Sequence, residues 1–290
     1  MNPPAFMPQD TMYKSLNAPA IGIKNLPLAD LIPLAQSTGF AGVDFDMREV
    51  LRLGPDADAI FTTTKAAQWG LPVNGPQSDW AVDLKELAAC AKTAARLGAT
   101  RCAAWVPSWH DSRDLTENTA YHIARLTPVA AVLADHGVSL GLEFLGPRTL
   151  YASQRYAFIH TMQAMLDMAA QIGPNVGLLL DAWHLFTSGG RLQDLARLSP
   201  SDIVHVHISD APVGVPFDQV IDTSRHLPLE TGVLDLPGFL RALKTLGYQG
   251  PVVTEPFNAA LNALAATNPK AAAEKVSQAM DRLWTLAALA

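Results

Sequence analysis

Cysteine is nearly absent from this chain: Cys90 and Cys102 are the only two in 290 residues. They form neither a CxxC pair nor a zinc-ribbon spacing, which excludes a disulfide framework and points to a reducing compartment. Blocks of lysine and arginine are also missing, and the formal net charge is -6. This argues against nucleic acid as the main partner. The apolar stretches are all short and broken by Gly, Pro or charge, so none reads as a transmembrane helix. The opening MNPPAFMPQD has no basic segment leading into an apolar one, so no signal peptide is visible. No linker or low-complexity tract interrupts the chain. A soluble, cytoplasmic enzyme acting on a small molecule is the expectation.

What is present is apolar residue, at 49% of the chain, which excludes disorder. It comes in a repeating rhythm of helical spacing, a glycine stop and a short buried run. The stops are Gly39, Gly70, Gly98, Gly137, Gly173 and Gly247. Strands are expected at Ala18–Ile23, Ala41–Asp46, Leu71–Asn74, Thr100–Val106, Val138–Phe144, Val176–Asp181, Ile203–His207 and Pro251–Glu255. Helices are expected between them, including one over Val50–Trp69, with a long polar loop over 211–234 and a closing helix over Asn268–Leu289. Eight strands alternating with helices in this length predict an α/β fold, a (β/α)8 TIM barrel. It would form one domain over 1–290, with 1–14 a loosely ordered lead-in.

The last four predicted strands each end on a group that is costly to bury. Glu143, Asp181, His207 and Glu255 close strands five to eight, which are neighbours in a barrel. Strand C-termini converge on one mouth, so these four side chains can surround one point. Any one of them alone would read as an acid paired with a nearby cation. Four on consecutive strands read as a divalent metal site. Three carboxylates and one imidazole suit Mn²⁺ or Mg²⁺, tolerate Co²⁺ or Fe²⁺, and leave Zn²⁺ as a less fitting choice because it favours N and S donors.

Other residues are candidates by position. His184, in Asp181-Ala182-Trp183-His184, can reach a metal ligand without being one. His205 shares a strand face with His207 and should lie one layer deeper as an interior histidine. Arg225, on the loop after strand seven, could hold a substrate oxygen or form a salt bridge to Glu230 or Asp210. Trp80, Trp105, Trp109 and Trp183 fall near predicted strand ends and could wall a pocket.

On these residues the chain resembles the xylose isomerase-like sugar isomerase/epimerase superfamily, and especially its inosose isomerase-like and ketose 3-epimerase-like members. The matching segments are Leu142-Glu143-Phe144, Asp181-Ala182-Trp183-His184, Val206-His207-Ile208-Ser209-Asp210, Arg225 with Pro228 and Glu230-Thr231-Gly232-Val233-Leu234-Asp235, and Thr254-Glu255-Pro256-Phe257. The resemblance implies one divalent metal, typically Mn²⁺, on Glu143, Asp181, His207 and Glu255. It makes Glu143 and Glu255 a catalytic acid/base pair on opposite faces of the substrate carbon, and has His184 and Arg225 bind substrate oxygens. Two features depart from it. Glu230-Thr231-Gly232 stands where many members have Gly-Glu-Gly or Gly-Gln-Gly, and Gly146–Leu150 lacks the further glutamate usual in ketose epimerases. These departures favour an inosose-like or oxidised-sugar substrate.

The activity expected is proton abstraction next to a carbonyl, through an enediolate that the metal stabilises, giving isomerisation or epimerisation. The alternative from the same first step is a lyase or dehydratase acting on a 3-keto sugar or keto-glycoside by β-elimination. Phosphodiester hydrolysis, known on the endonuclease IV version of this barrel, is disfavoured by the acidic charge and the single strong histidine ligand. A homodimer through helix faces would be ordinary for such barrels.

Overall fold

The computed structural model describes residues 11–76 and 79–289. Eight strands close into a barrel: β1 (Tyr13–Leu16), β2 (Gly42–Phe45), β3 (Lys65–Gly70), β4 (Arg101–Val106), β5 (Ser139–Phe144), β6 (Val176–Asp181), β7 (Ile203–Ile208) and β8 (Pro251–Thr254). Each strand pairs in parallel with its neighbours in the chain, and β1 meets β8 to seal the ring. The chain therefore adopts the TIM-barrel topology. The register sets Trp105 beside Glu143 and Asp181 beside His207.

The helices lie outside. The longer ones are α1 (Leu28–Ser37), α2 (Met47–Leu53), α3 (Leu84–Leu97), α4 (Leu115–Ala134), α5 (Met162–Ile172), α6 (Ala182–Thr187), α7 (Leu236–Leu246), α8 (Ala259–Thr267) and α9 (Pro269–Leu286). Their starts are local chemistry. Asp83 caps α3 through the Lys85 N–H at 2.8 Å, and Asp114 with Glu117 forms a reciprocal capping box on α4. The apolar core fills the layer between ring and helices. The inside of the ring carries polar side chains, with Ser15, Asp44, His205 and His207 all buried there beside Leu179 and Val253. Among the described residues no helix is long and apolar enough to cross a membrane.

Several expectations are corrected. The first strand is Tyr13–Leu16, not Ala18–Ile23, and it begins inside the expected lead-in, whose residues 1–10 lie outside those described. Lys14 and Ser15 gave this strand a polar look. The Lys14 ammonium bonds Ser277 and Asp281 on the outer side, and Ser15 turns inward to Asp44. The apolar run that was expected to be the strand is a short 3₁₀ turn, Pro19–Ile21, which ends at Gly22 with φ of +87°. A helix over Val50–Trp69 is broken at Gly54-Pro55, and its last part is β3 itself. Ala66, Ala67 and Gln68 favour helix locally, but pairing to β2 and β4 overrides them. Gly70 therefore ends a strand and caps no helix. Leu71–Asn74 is not the third barrel strand; Val73–Asn74 makes a small antiparallel pair with Ala81–Val82. Helices α6 and α8 were not anticipated.

Candidate metal centre and active site

Each of the four strand-end candidates is delivered by a different element to one spot at the barrel mouth. Glu143 is on β5, Asp181 ends β6, His207 is on β7, and Glu255 follows β8 directly. One oxygen or nitrogen from each lies within 4.8 Å of all the others. His207 Nδ1 is 3.1 Å from Glu255 Oε2 and 3.6 Å from Glu143 Oε1. Glu143 Oε1 and both His207 nitrogens are buried without a hydrogen-bond partner among the described residues. Buried polar atoms of this kind are costly, and three carboxylates facing one imidazole fit a divalent cation.

Electrostatics within the group separate the two glutamates. Burial pushes the Glu143 carboxyl above the usual carboxylate range, although His207 and His184 pull the other way. Burial also raises Glu255, but the charges of His207 and Arg225 outweigh it and hold Glu255 below its ordinary value. Burial would lower His207; the negative charge of Glu255, with Glu143, reverses that and holds it well above its ordinary value.

His184 sits on α6, and α6 begins on Asp181, whose Oδ1 accepts the Trp183 N–H at 2.9 Å. Its Nδ1 accepts the backbone N–H of Gly146 at 3.1 Å, and its Nε2 stands 3.3 Å from Nη2 of Arg225. Nε2 is 3.8 Å from both Glu143 Oε1 and Asp181 Oδ2. Position 146 must be glycine for this approach, because a Cβ there would lie 2.2 Å from the His184 carbonyl oxygen.

Arg225 is buried and does not pair with Glu230 or Asp210. Its Nη1 donates to Asp181 Oδ2 at 2.7 Å and its Nη2 to Asp222 Oδ1 at 2.8 Å. The guanidinium stands over the rings of Trp183 and Phe257, 5.1 and 5.0 Å from their centroids. Phe257 takes a left-handed φ of +39° to reach it, a backbone conformation a bulky residue adopts only under constraint. The loop over 211–234 is long and polar as expected, and Asp210 anchors it by accepting the N–H groups of Thr231, Gly232 and Leu234. That anchor folds the loop back over the mouth.

A cavity of about 580 Å³ opens above these groups. Trp105 and Trp109 line it. Trp80 is instead buried under the Arg125 guanidinium, and Trp183 is buried with its indole N–H on Asp222. Sequence reasoning missed Asn17, Gln68, Ser108 and Asp222, which all line the cavity. Asn17 donates to Glu255 Oε1 at 3.1 Å. It follows β1 immediately, so correct placement of that strand would have marked it as a mouth residue. The side-chain oxygens of Gln68 and Ser108 are buried and have no partner among the described residues.

The family model of the xylose isomerase-like TIM barrel matches residues 32–283. An inosose isomerase of Bacillus velezensis is 27% identical over 156 residues, which is 53% of this chain and 52% of that protein. The chain spans about half the length of the curated relatives it matches. A xylose isomerase domain protein from Alicyclobacillus acidocaldarius has the same fold with a TM-score of 0.78 and 27% identity, over 96% of this chain and 100% of that one. The structure of an IolI protein with a bound zinc atom gives a TM-score of 0.72 at 20% identity over 96% of this chain and 98% of its own, a likeness of fold.

Proposed function

Because the chain belongs to the xylose isomerase-like TIM barrel family, we propose that it is a divalent-metal-dependent isomerase or epimerase of a sugar or cyclitol. The observation that carries this reading is the convergence of Glu143, Asp181, His207 and Glu255 within 4.8 Å under a cavity large enough for a six-carbon ring. These four residues would hold the ion, and the zinc of the IolI structure supports a metal on this fold. The oxygen-rich donor set favours Mn²⁺. When bound, the metal supplies Lewis-acid polarisation of the substrate carbonyl.

The protein's own groups do the proton work. Glu255, held ionised by its cationic neighbours, takes the proton from the carbon beside the carbonyl. Glu143, which faces the same point from β5, is the partner group that returns a proton to the opposite face or to the adjacent carbon. Asn17 keeps the Glu255 carboxylate oriented through Oε1. His184 and Arg225 both face the cavity, where they would hold substrate oxygens, and Arg225 also holds Asp181 in place.

The lining also bears on substrate charge. Among the described residues lining the cavity, Arg225 is the only lysine or arginine, and two carboxylates already neutralise it. This supports an uncharged keto-polyol over a phosphate or carboxylate. The free oxygens of Gln68 and Ser108 suit its hydroxyl groups, and Trp105 and Trp109 suit the apolar face of its ring.

Proton NMR in D₂O on the Mg²⁺-loaded protein, with ketoses, inososes and 3-keto glycosides, tests this. The expected result is deuterium at the carbon beside the carbonyl, with an isomer or epimer as product. Loss of a β-substituent would assign the same site to a lyase. No exchange with any compound, with metal bound, would overturn the enolisation reading.

A further inference from the structure

Below the mouth lies a second group of polar side chains that the proposed reaction does not use. His205 is on β7 two residues before His207, and Asp44 is on β2; both are buried inside the ring. His205 Nε2 is 3.4 Å from Asp44 Oδ2 without the alignment of a hydrogen bond, and Ser15 Oγ donates to Asp44 Oδ1 at 3.2 Å. The His205 and His207 rings meet edge to face, with centroids 4.9 Å apart and planes at 82°. One polar atom each from Asp44, His205 and His207 lies within 4.8 Å of the other two. Asp44 Oδ2, both nitrogens of His205 and both of His207 are buried and have no hydrogen-bond partner among the described residues.

His207 connects the two layers. Its Nδ1 faces Glu143 and Glu255. If that nitrogen gives its lone pair to the metal, the ring proton sits on Nε2. A ligating imidazole normally donates its other N–H to a fixed acceptor, and this bond sets both the tautomer and the ring orientation. The mouth carboxylates lie on the Nδ1 side. The acceptors of the lower layer are Asp44 and His205. Separations of up to 4.8 Å exceed a direct hydrogen bond but match two hydrogen bonds through one water of about 2.8 Å each.

We infer that Asp44 and His205 are positioning residues for the metal ligand His207: through a shared buried water they receive its Nε2–H and hold Nδ1 toward Glu143 and Glu255. This inference rests on the metal reading above. It makes the barrel floor part of the site. Ser15 would extend the chain by keeping the Asp44 carboxylate turned toward His205.

The test compares the wild-type protein with Asp44→Asn and His205→Leu. Mn²⁺ binding is read by the EPR signal of the free ion, Co²⁺ binding by its visible spectrum, and folding by the melting temperature of the metal-free proteins. One ion should bind the wild type. Both variants should bind it about 10–100-fold more weakly, with a shifted Co²⁺ spectrum. A melting temperature kept within a few degrees would show that this loss is not general unfolding. Unchanged affinity and spectrum in both variants would overturn the inference. So would two ions in the wild type falling to one in the variants, because the lower group would then be a cation site of its own. No ion in the wild type would remove the metal centre and its support together. A variant that fails to fold leaves the wild-type readout: in ¹⁵N-histidine-labelled, Zn²⁺-loaded protein, His207 should show the Nε2–H tautomer with a slowly exchanging ring proton. The Nδ1–H tautomer would overturn the assignment.

Discussion

Strands β5 to β8 deliver Glu143, Asp181, His207 and Glu255 to the mouth, whereas β1 to β4 deliver Asn17, Gln68, Gly70 and Trp105. Both halves repeat the same strand and helix unit. One contributes charge and the candidate ligand atoms; the other contributes an amide, an acceptor oxygen and an aromatic wall. The halves meet where β8 pairs with β1, and there Asn17 bonds Glu255. The difference teaches that the barrel separates the chemistry from the shape of the site, and that the seam couples them.

The largest effect expected falls on the charged half. Glu255→Gln removes the proposed base while keeping its shape, so deuterium exchange should fall by about 10²–10⁴-fold with substrate binding retained. Turnover within a few-fold of the parent would refute that role. Arg225→Met comes next. It leaves Asp181 and Asp222 without their cation, and losing one partner of a buried pair costs about 3–5 kcal/mol. The metal-free variant should melt well below the wild type, and Mn²⁺ should recover more stability for it than for the parent. Equal gains in both proteins would mean that Arg225 and the metal do not share Asp181.

Two histidines sharpen the comparison through pH. His207 is raised in the folded protein, so its contribution to metal-free stability is full below the ordinary histidine pKa of about 6.5 and is lost as pH rises through the folded value. His122, on α4, is held down to about 3 by burial and the nearby Arg125, whose Nη2 donates to its Nδ1 at 2.8 Å. Its contribution is full above about 6.5 and is lost as pH falls toward 3. Melting temperature against pH should therefore be shallower on the acid side in His122→Leu and on the alkaline side in His207→Asn. Identical profiles would contradict both assignments. The smallest effect belongs to the seam. Asn17→Ala removes one hydrogen bond to a carboxylate, worth about 1.5–3 kcal/mol at most, and should lower kcat by roughly tenfold with little change in KM. A change confined to KM would make Asn17 a substrate contact instead.

Legibility in the sequence followed the same division. The charged half could be read because its strands are apolar runs that stop on a carboxylate or imidazole, and such a pattern is local. In the other half, β1 was disguised by Lys14 and Ser15, and β3 by the helix-favouring Ala66, Ala67 and Gln68. Those strands exist because their neighbours in the ring pair with them. Asn17 and Gln68 were lost with the strands that carry them.

The sequence by itself determined the alternation of helices and strands from β4 onward and the order in which Glu143, Asp181, His207 and Glu255 reach the mouth. Each of these rests on periodicity or capping within a few residues. Only the tertiary structure decided that Arg225 pairs with Asp181 and Asp222 rather than with Glu230 or Asp210, that Trp105 faces the cavity while Trp80 lies under Arg125, that Asp44 stands beside His205, and that Asn17 meets Glu255 from 238 positions away. The reason is physical. Contacts between distant residues depend on ring closure and strand register, which set every inward side chain at once, and no short stretch of chain contains that information.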